Sequence, residues 1–234
     1  EMKNNNSEYY KYHQYVKCLI DYPWINNKIN DIFSCYKNNI EKSRILLDDT
    51  DKKLNELVYG HIECKKIIKE LLAKWIISDY SKSGKAIGLC GPPGVGKTLI
   101  AKGLGEILNI PFTQINVGGM DDGSVLSGHS ITYSGSQYGL IVRKMCEAGK
   151  SRCIMFFDEL DKSCTRHGVN EIYNILIHVT DPNTNHEFND KYFQEVQFPL
   201  SNVVFIFSFN DRSKVDKILL DRMEVINVES YSVH

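Results

Sequence analysis

The sequence predicts an α/β fold in which helices cover both faces of a parallel β-sheet. Four short apolar segments are expected to be strands: Ala86–Cys90, Phe112–Asn116, Cys153–Phe157 and Val203–Phe207. Helical patterns separate them, over Lys97–Leu108, near Gly139–Ala148 and near Asn170–Val179. Strands that are apolar throughout and alternate with helices are typical of a parallel sheet buried on both faces.

Helices are also expected before the first strand. Apolar residues at helical intervals predict them over Tyr9–Ile20, around Ile32–Leu47 and over Gly60–Ile77. The polar run Asp48–Asp51 is expected to end the second of these helices. We therefore divide the chain into an N-terminal helical segment, residues 1–50, and an α/β unit, residues 51–234. In the long connection over residues 181–202 we expect a functional loop or a small hairpin.

Composition limits the function classes. The 234 residues are 42% apolar and 24% charged, as in an ordinary globular protein. A net charge of −1 argues against a dedicated nucleic-acid partner or an acidic lipid surface. Apolar stretches such as Cys153–Phe157 are far too short to cross a membrane, so no membrane partner is predicted. Because the chain does not begin with methionine, we expect it to be a piece of a longer protein.

Cysteine usage bears on the compartment. The seven cysteines include no C-x-x-C pair, and several lie within apolar runs, where a free thiol behaves as a small hydrophobic group. We interpret them as reduced core residues in a reducing compartment, the cytoplasm, with the mitochondrial matrix as the alternative. A structural zinc site is the other interpretation of these cysteines.

One segment matches the phosphate-binding pattern G-x-x-x-x-G-K-[ST]. It consists of Gly91-Pro92-Pro93-Gly94-Val95-Gly96-Lys97-Thr98 and lies between a predicted strand and a predicted helix. Glycines let the backbone curl so that successive N–H groups point at phosphate oxygens. Lys97 is expected to reach the β- and γ-phosphates of ATP, and Thr98 to offer its hydroxyl to Mg²⁺. The alternative is a glycine-rich turn that only ends a strand.

Polar residues follow two further predicted strands. Asp158 and Glu159 follow Cys153–Phe157, and Asn210 follows Val203–Phe207. Ligands of open parallel sheets bind beyond the carboxyl ends of the strands. We expect Asp158 to hold Mg²⁺ through water and Glu159 to polarise the attacking water. Asn210 is expected to hydrogen-bond the γ-phosphate and that water, although read alone it is equally explained as a turn residue.

An arginine follows a short predicted helix near the end of the chain. The segment Leu219–Glu224 contains Arg222, and the transition state of phosphoryl transfer needs a cation to disperse its charge. We expect Arg222 to act as an arginine finger that reaches the site of a neighbouring subunit. The alternative is a surface ion pair between Asp221 and Arg222.

Together these motifs resemble the AAA-plus ATPase superfamily, and further segments resemble the ATPase module of Lon proteases. The similar segments are Tyr22–Trp24, Tyr59–Gly60, Gly91–Thr98, Val117–Gly119, Gly128–His129, Thr132–Tyr133, Phe157–Lys162, Asp181–Pro182, Phe188–Asp190 and Leu219–Ile226. The resemblance implies a five-stranded parallel sheet of the AAA-plus kind and Mg²⁺-dependent ATP hydrolysis. It also implies a hexamer that pulls unfolded or misfolded protein substrates through a central pore.

The resemblance assigns further roles. Tyr59 is the expected adenine contact, within Val58–His61, and Tyr133 is expected to line the pore and grip substrate through its bulk. The alternative for Tyr133 is packing on its own loop. The segment Cys164–Gly168 is expected to form a second pore loop. A Lon chain continues into a small helical domain and a Ser-Lys protease domain, so we assign no peptidase residues here.

Departures from the Lon pattern affect substrate and adenine contacts. The arginine-rich sequence usual in Lon is replaced here by Asp121–Gly123 and Ser130–Ile131. The Gly-Asp-Pro of Lon is replaced by His167–Asn170, and the histidine that usually precedes Tyr-Gly is replaced by Val58. None of these changes removes a group needed for hydrolysis. Two other functions stay open: a non-proteolytic motor, such as an unfoldase or a nucleic-acid-handling ATPase, and a module that binds nucleotide without turnover.

Overall fold

The computed structural model of the chain describes residues 2–24, 36, 39–77, 86–133, 135–165 and 169–230. Its strands are β1 (Ala86–Cys90), β2 (Phe112–Asn116), β3 (Ile154–Asp158), β4 (Phe188–Asn189), β5 (Gln197–Phe198), β6 (Val204–Phe209) and β7 (Met223–Asn227). Five of them form one parallel sheet in the order β2-β3-β6-β1-β7. The predicted five-stranded parallel sheet is confirmed.

Eight α-helices are described. They are α1 (Met2–Asp21), α2 (Ile40–Leu57), α3 (Ile62–Ile77), α4 (Lys97–Leu108), α5 (Ser124–Ser127), α6 (Leu140–Ala148), α7 (Glu171–Thr180) and α8 (Lys217–Asp221). Short 3-10 helices span Leu160–Lys162, Asn185–Glu187 and Arg212–Lys214. Within the described ranges, no helix has the length and apolar character that a membrane crossing requires.

The helix predicted to end at Leu47 is longer than expected. Helix α2 continues to Leu57, because the three aspartates of the polar run face solvent while Thr50 and Leu54 turn inward and are buried. Lys69 of α3 lies 3.7 Å from a carboxylate oxygen of Asp51, so the acidic residues also have a partner on the helix surface. The expected boundary between residues 50 and 51 falls inside α2, and the division into two units stays a prediction. The earlier part of that predicted helix, residues 32–35, lies outside the described residues.

Alternation along the central strands separates two cores. Phe157 and Phe207 face one side of the sheet, where their stacked rings lie 5.2 Å apart and pack with α1, α6 and α7. Phe156 and Ile206 face the other side and pack with α2, α3 and α4. Because both faces are covered, the strands can be apolar throughout, as the sequence indicated.

The connection between α7 and β6 contains the expected small hairpin. Strands β4 and β5 pair antiparallel, with Phe188 opposite Phe198. An aromatic cluster joins this connection to the N-terminal helix: the ring of Tyr15 lies 4.9 Å from that of Phe193, and the ring of Tyr22 lies 4.8 Å from that of Phe198. Helix α1 is thereby packed on the α/β unit.

Candidate nucleotide-binding site

The segment Gly91–Thr98 lies where β1 ends and α4 begins. Gly94 and Gly96 have φ angles of 79° and 90°, in the left-handed region that favours glycine. A Cβ atom on Gly91 would lie 2.1 Å from the carbonyl oxygen of Val228, the residue after β7. The two backbone segments are therefore too close for any side chain at position 91. The first turn of α4 opens toward the cleft, and the positive end of its dipole favours an anion there.

Lys97 is held by acceptors around this cleft. Its Nζ donates to the carbonyl oxygens of Gly91 and Pro92 and, over 2.7 Å, to Oδ1 of Asn210. Burial lowers the pKa of Lys97, and the nearby carboxylates of Asp161 and Asp158 oppose that shift. The ammonium and the amide predicted to contact the γ-phosphate are thus in direct contact.

Asp158 is fixed by groups on neighbouring strands. Its Oδ1 accepts hydrogen bonds from the hydroxyl of Ser208 on β6 and from the backbone N–H of Glu159, and its Oδ2 accepts one from Gln114 of β2 at 3.2 Å. Asp158 and Thr98 line the same cleft. One carboxylate and one hydroxyl suit Mg²⁺, which keeps several waters and binds nucleotide phosphates.

No cluster of three or more histidine, cysteine or acidic side chains that could hold a metal is found in the described part of the chain. This is expected of a Mg²⁺ site completed by phosphate oxygens and water. A zinc site among the described cysteines is not supported.

Glu159 projects from a constrained backbone position. Its φ angle is 59°, which is uncommon for a residue with a side chain. Its carboxylate pairs with Lys162 and accepts a hydrogen bond from Asn116 at 3.2 Å. A Cβ atom on Gly118 would lie 2.5 Å from Glu159 Oε2, so a side chain at this position would displace the carboxylate. The hydrogen bonds from Lys162 and Asn116 lower the pKa of Glu159 and keep it ionised.

The cleft that these residues share has a volume of about 420 Å³. It is lined by the loop and by the ends of β3 and β6: Pro93, Gly94, Val95, Gly96, Lys97, Thr98, Leu99, Asp158, Glu159, Lys162, Ser208 and Asn210. The structure therefore brings together the predicted phosphate, metal and water-binding side chains.

Arg222 lies at the other end of the sheet. Its carbonyl oxygen accepts a hydrogen bond from the N–H of Ala86, the first residue of β1, whereas the cleft lies beyond the last residue of that strand. Its guanidinium pairs with Asp181 at 2.8 Å, not with Asp221. A hydrogen bond from the Asn183 N–H and the pair with Arg222 lower the pKa of Asp181. Arg222 does not line the cleft of its own chain.

Tyr59 belongs to a segment that lies beside the phosphate loop. Its side chain is 86% exposed, and the next glycine, Gly60, has a φ angle of 68°. The chain then turns so that the His61 ring nitrogen Nε2 lies 3.1 Å from the carbonyl oxygen of Val95. The segment Val58–His61 thus borders the loop, and the adenine contact of Tyr59 stays a prediction.

Tyr133 belongs to the loop over residues 128–139, which we call the tyrosine loop. Its side chain is 68% exposed, and its role in a pore stays a prediction. Lys11 of α1 donates hydrogen bonds to the carbonyl oxygens of Ile131, at 3.2 Å, and Tyr133, at 2.9 Å. In the second expected pore loop, residues 166–168 lie outside the described residues.

Asp190 lies against both ends of the tyrosine loop and is hydrogen-bonded to one of them. It is fully buried and accepts a hydrogen bond from the N–H of Gly139 at 2.7 Å. A Cβ atom on Gly128 would lie 2.1 Å from its Oδ1, which also accepts from the N–H of Tyr192 at 2.9 Å. The sequence marked Asp190 only as part of a Lon-like segment, without a role.

Four residues that contact the acidic pair were not predicted from the sequence: Gln114, Asn116, Lys162 and Ser208. Lys162 could have been found from its position three residues after Glu159 on a helical turn. Asn116 and Ser208 come from other strands, and only the strand order places them beside β3.

Comparison with known proteins agrees with this geometry. Residues 87–230 match the family described as ATPase family associated with various cellular activities (AAA). Because the match covers more than half of the chain, the chain belongs to this family of ATPases. It is 48% identical over 238 residues to a Lon protease homolog of Acanthamoeba polyphaga mimivirus, covering 100% of this chain and 23% of the relative.

Bacterial proteins extend the comparison. The chain is 34% identical over 231 residues to a Lon protease of Clostridium beijerinckii, covering 98% of the chain and 27% of the relative. It is 33% identical over 232 residues to Lon protease 2 of Borreliella burgdorferi, covering 99% of the chain and 27% of the relative. The chain is an ATPase module of the Lon type, and it spans about a quarter of the length of these relatives.

Proposed function

We propose that the chain binds Mg²⁺·ATP in the cleft beside Gly91–Thr98 and hydrolyses it to drive the translocation of unfolded protein in a Lon-type protease. The arrangement of Lys97, Glu159 and Asn210 around one cleft carries this proposal. A nucleotide-binding fold alone would need the loop and the lysine. The added carboxylate and amide are groups that hydrolysis requires.

Each residue has a role that its surroundings support. The N–H groups of the loop and the ammonium of Lys97 bind the phosphates, and Asn210 exchanges its contact with Lys97 for one with the γ-phosphate. Thr98, and Asp158 through water, would hold Mg²⁺, which would neutralise developing negative charge. Glu159 stays ionised and orients the attacking water. Asn116 and Lys162, which contact its carboxylate in the structure, hold the side chain in place.

The position of Arg222 supports completion of the site by a second subunit. The strand β1 separates it from the cleft of its own chain, so the cleft that it would complete is that of a neighbour. A ring, which we propose to be a hexamer, supplies such a neighbour to every subunit. Without it, we expect the 234-residue chain to be largely monomeric and to hydrolyse ATP slowly.

The exposure of Tyr133 supports a substrate-gripping role. An exposed aromatic ring on a loop that is hydrogen-bonded by Asp190 and Lys11 can push on any side chain through its bulk. The free thiols of the described cysteines fit a reducing compartment.

The decisive experiment mixes two inactive variants of the full-length parent protein. Glu159→Gln should bind ATP without hydrolysis, and Arg222→Ala should bind ATP but lose on the order of 10³-fold or more in turnover. In mixed rings, an intact cleft meets an intact arginine at some interfaces, so ATPase activity should exceed that of either variant alone. Replacement of the exposed Arg212 by alanine is the matched control and should change little.

Three outcomes would count against parts of the proposal. No recovery in the mixture excludes action of Arg222 across an interface. Wild-type turnover no greater than that of Glu159→Gln favours a module that holds nucleotide without hydrolysis. ATP-dependent unfolding of a casein-like substrate without its degradation favours a non-proteolytic motor.

A further inference from the structure

Two cysteines that are distant in the sequence meet between the N-terminal helix and the α/β unit. Cys18 on α1 and Cys146 on α6 are 128 residues apart, and their Sγ atoms lie 3.6 Å from each other. Cys18 is buried, with 2% of its surface exposed, and Cys146 is partly exposed. Among the described cysteines, no second pair of sulfur atoms lies in hydrogen-bond contact.

The packing around the two thiols holds them in this arrangement. Tyr15 and Tyr22, one turn on either side of Cys18 on α1, pack against Phe193 and Phe198 of the connection between α7 and β6. The Sγ of Cys153 contacts the sulfur of Met145, which cannot form a disulfide. Among the described cysteines, each of these two thiols therefore has the other as its partner for a disulfide. Their sulfur atoms need to approach by roughly 1.5 Å to reach bonding distance.

We propose that Cys18 and Cys146 form an oxidation site, in which a small-molecule disulfide such as oxidised glutathione converts the two thiols into an intramolecular disulfide that fastens α1 to α6. The thiolate of Cys146 attacks one sulfur of the oxidant, forming a mixed disulfide and releasing one glutathione thiolate. Cys18 gives up its proton and its sulfur attacks the Cys146 sulfur, releasing the second glutathione. The two protons of the cysteines end on the two glutathione molecules, so the reaction is balanced.

The order of attack follows from the surroundings of each thiol. Cys146 is the accessible member, and its hydrogen bond with Cys18 lowers its pKa. The same hydrogen bond and then burial raise the pKa of Cys18. Cys18 therefore needs no access to the oxidant, because its target is the sulfur atom that it already contacts.

The bond would act on more than the two helices. Lys11 lies seven residues before Cys18 on the same face of α1, and it donates to the carbonyl oxygens of the tyrosine loop. Fastening Cys18 to the α/β unit therefore also restricts the helix that supports this loop. This consequence does not depend on the role of Tyr133 in substrate handling.

The test maps disulfides in the purified protein. After incubation with oxidised glutathione, free thiols are alkylated under denaturing conditions and the protein is digested. We expect a linked pair of peptides containing Cys18 and Cys146, lighter than the sum of the two by the mass of two hydrogens. Dithiothreitol should remove it. Cys18→Ala and Cys146→Ala should each abolish it, and Cys153→Ala should retain it.

A thermal-unfolding measurement gives an independent readout. Oxidation should raise the melting temperature of the wild type and of Cys153→Ala, but not of Cys18→Ala. The proposal is overturned if the exposed Cys164 becomes fully glutathionylated while no link to Cys18 forms. It is also overturned if Cys146 ends as a stable mixed disulfide, or links to a cysteine other than Cys18.

Discussion

Replacement of Asp190 by asparagine should remove a pH-dependent part of the protein's stability. The carboxyl group is fully buried, and burial raises its pKa to about 7 against the opposing hydrogen bonds from the N–H groups of Tyr192 and Gly139. In the unfolded chain the same group titrates near its ordinary value of about 3.9. The folded protein therefore keeps a proton on Asp190 across a range in which the unfolded chain has lost it.

The sign and size follow from this difference. A pKa that is raised in the folded state contributes stability that is fully present below the unfolded value and is lost as pH rises through the folded value. Three pH units at about 1.4 kcal/mol each give a loss on the order of 4 kcal/mol between pH 4 and pH 7. Asparagine cannot titrate, so the variant should lack this loss.

Urea unfolding of wild type and Asp190→Asn at a series of pH values measures the effect. The free energy of unfolding of the variant, relative to wild type, should rise by about 4 kcal/mol from pH 4 to pH 7. Asp211→Asn is the control, because Asp211 is partly exposed and the hydrogen bonds from Ser213 lower its pKa. A relative free energy that stays constant with pH, or falls, would show that Asp190 is ionised throughout and would refute the reasoning.

Further predictions concern stability and loop attachment. Gly128→Ala should destabilise by about 2–4 kcal/mol in urea unfolding, because the new Cβ meets Asp190. Gly135→Ala, with a similar φ of 76° but open space, should lose only about 1 kcal/mol; equal losses would contradict the clash. Phe207→Ala should lose about 3–5 kcal/mol, since its ring is fully buried. Lys11→Met should speed proteolytic cleavage in the tyrosine loop without changing ATP affinity, and unchanged cleavage would show that Lys11 does not restrain that loop.

The phosphate cleft could be predicted from the sequence because its main residues follow the ends of strands. Gly91–Thr98, Asp158 and Asn210 each come directly after an apolar segment, and parallel strands end at one edge of the sheet. Strand positions differed from expectation by no more than two residues. Local pattern and a topological rule were therefore sufficient to place these groups together.

Contacts between distant segments could not be predicted in this way. The pair of Arg222 with Asp181 and the contact of Asp158 with Ser208 depend on strand order and on how the connections cross the sheet ends. The length of α2 was missed because a run of acidic residues looks like a loop, although only one face of that run is exposed. The four-residue spacing of Thr50 and Leu54, both of which are buried, was the signal in the sequence that could have extended the predicted helix.

Strand β1 connects two groups that are important for hydrolysis in the proposed function. From Ala86 to Cys90 it rises about 13 Å, with the phosphate loop beyond one end and the backbone of Arg222 bonded to the other. A buried strand hydrogen-bonded on both sides transmits displacement along its axis rather than bending. In the proposed ring, β1 would therefore connect two catalytic centres, that of its own subunit and that of the neighbour. A displacement of the phosphate loop on phosphate release in one subunit would then move Arg222, which is proposed to act in the cleft of the next subunit.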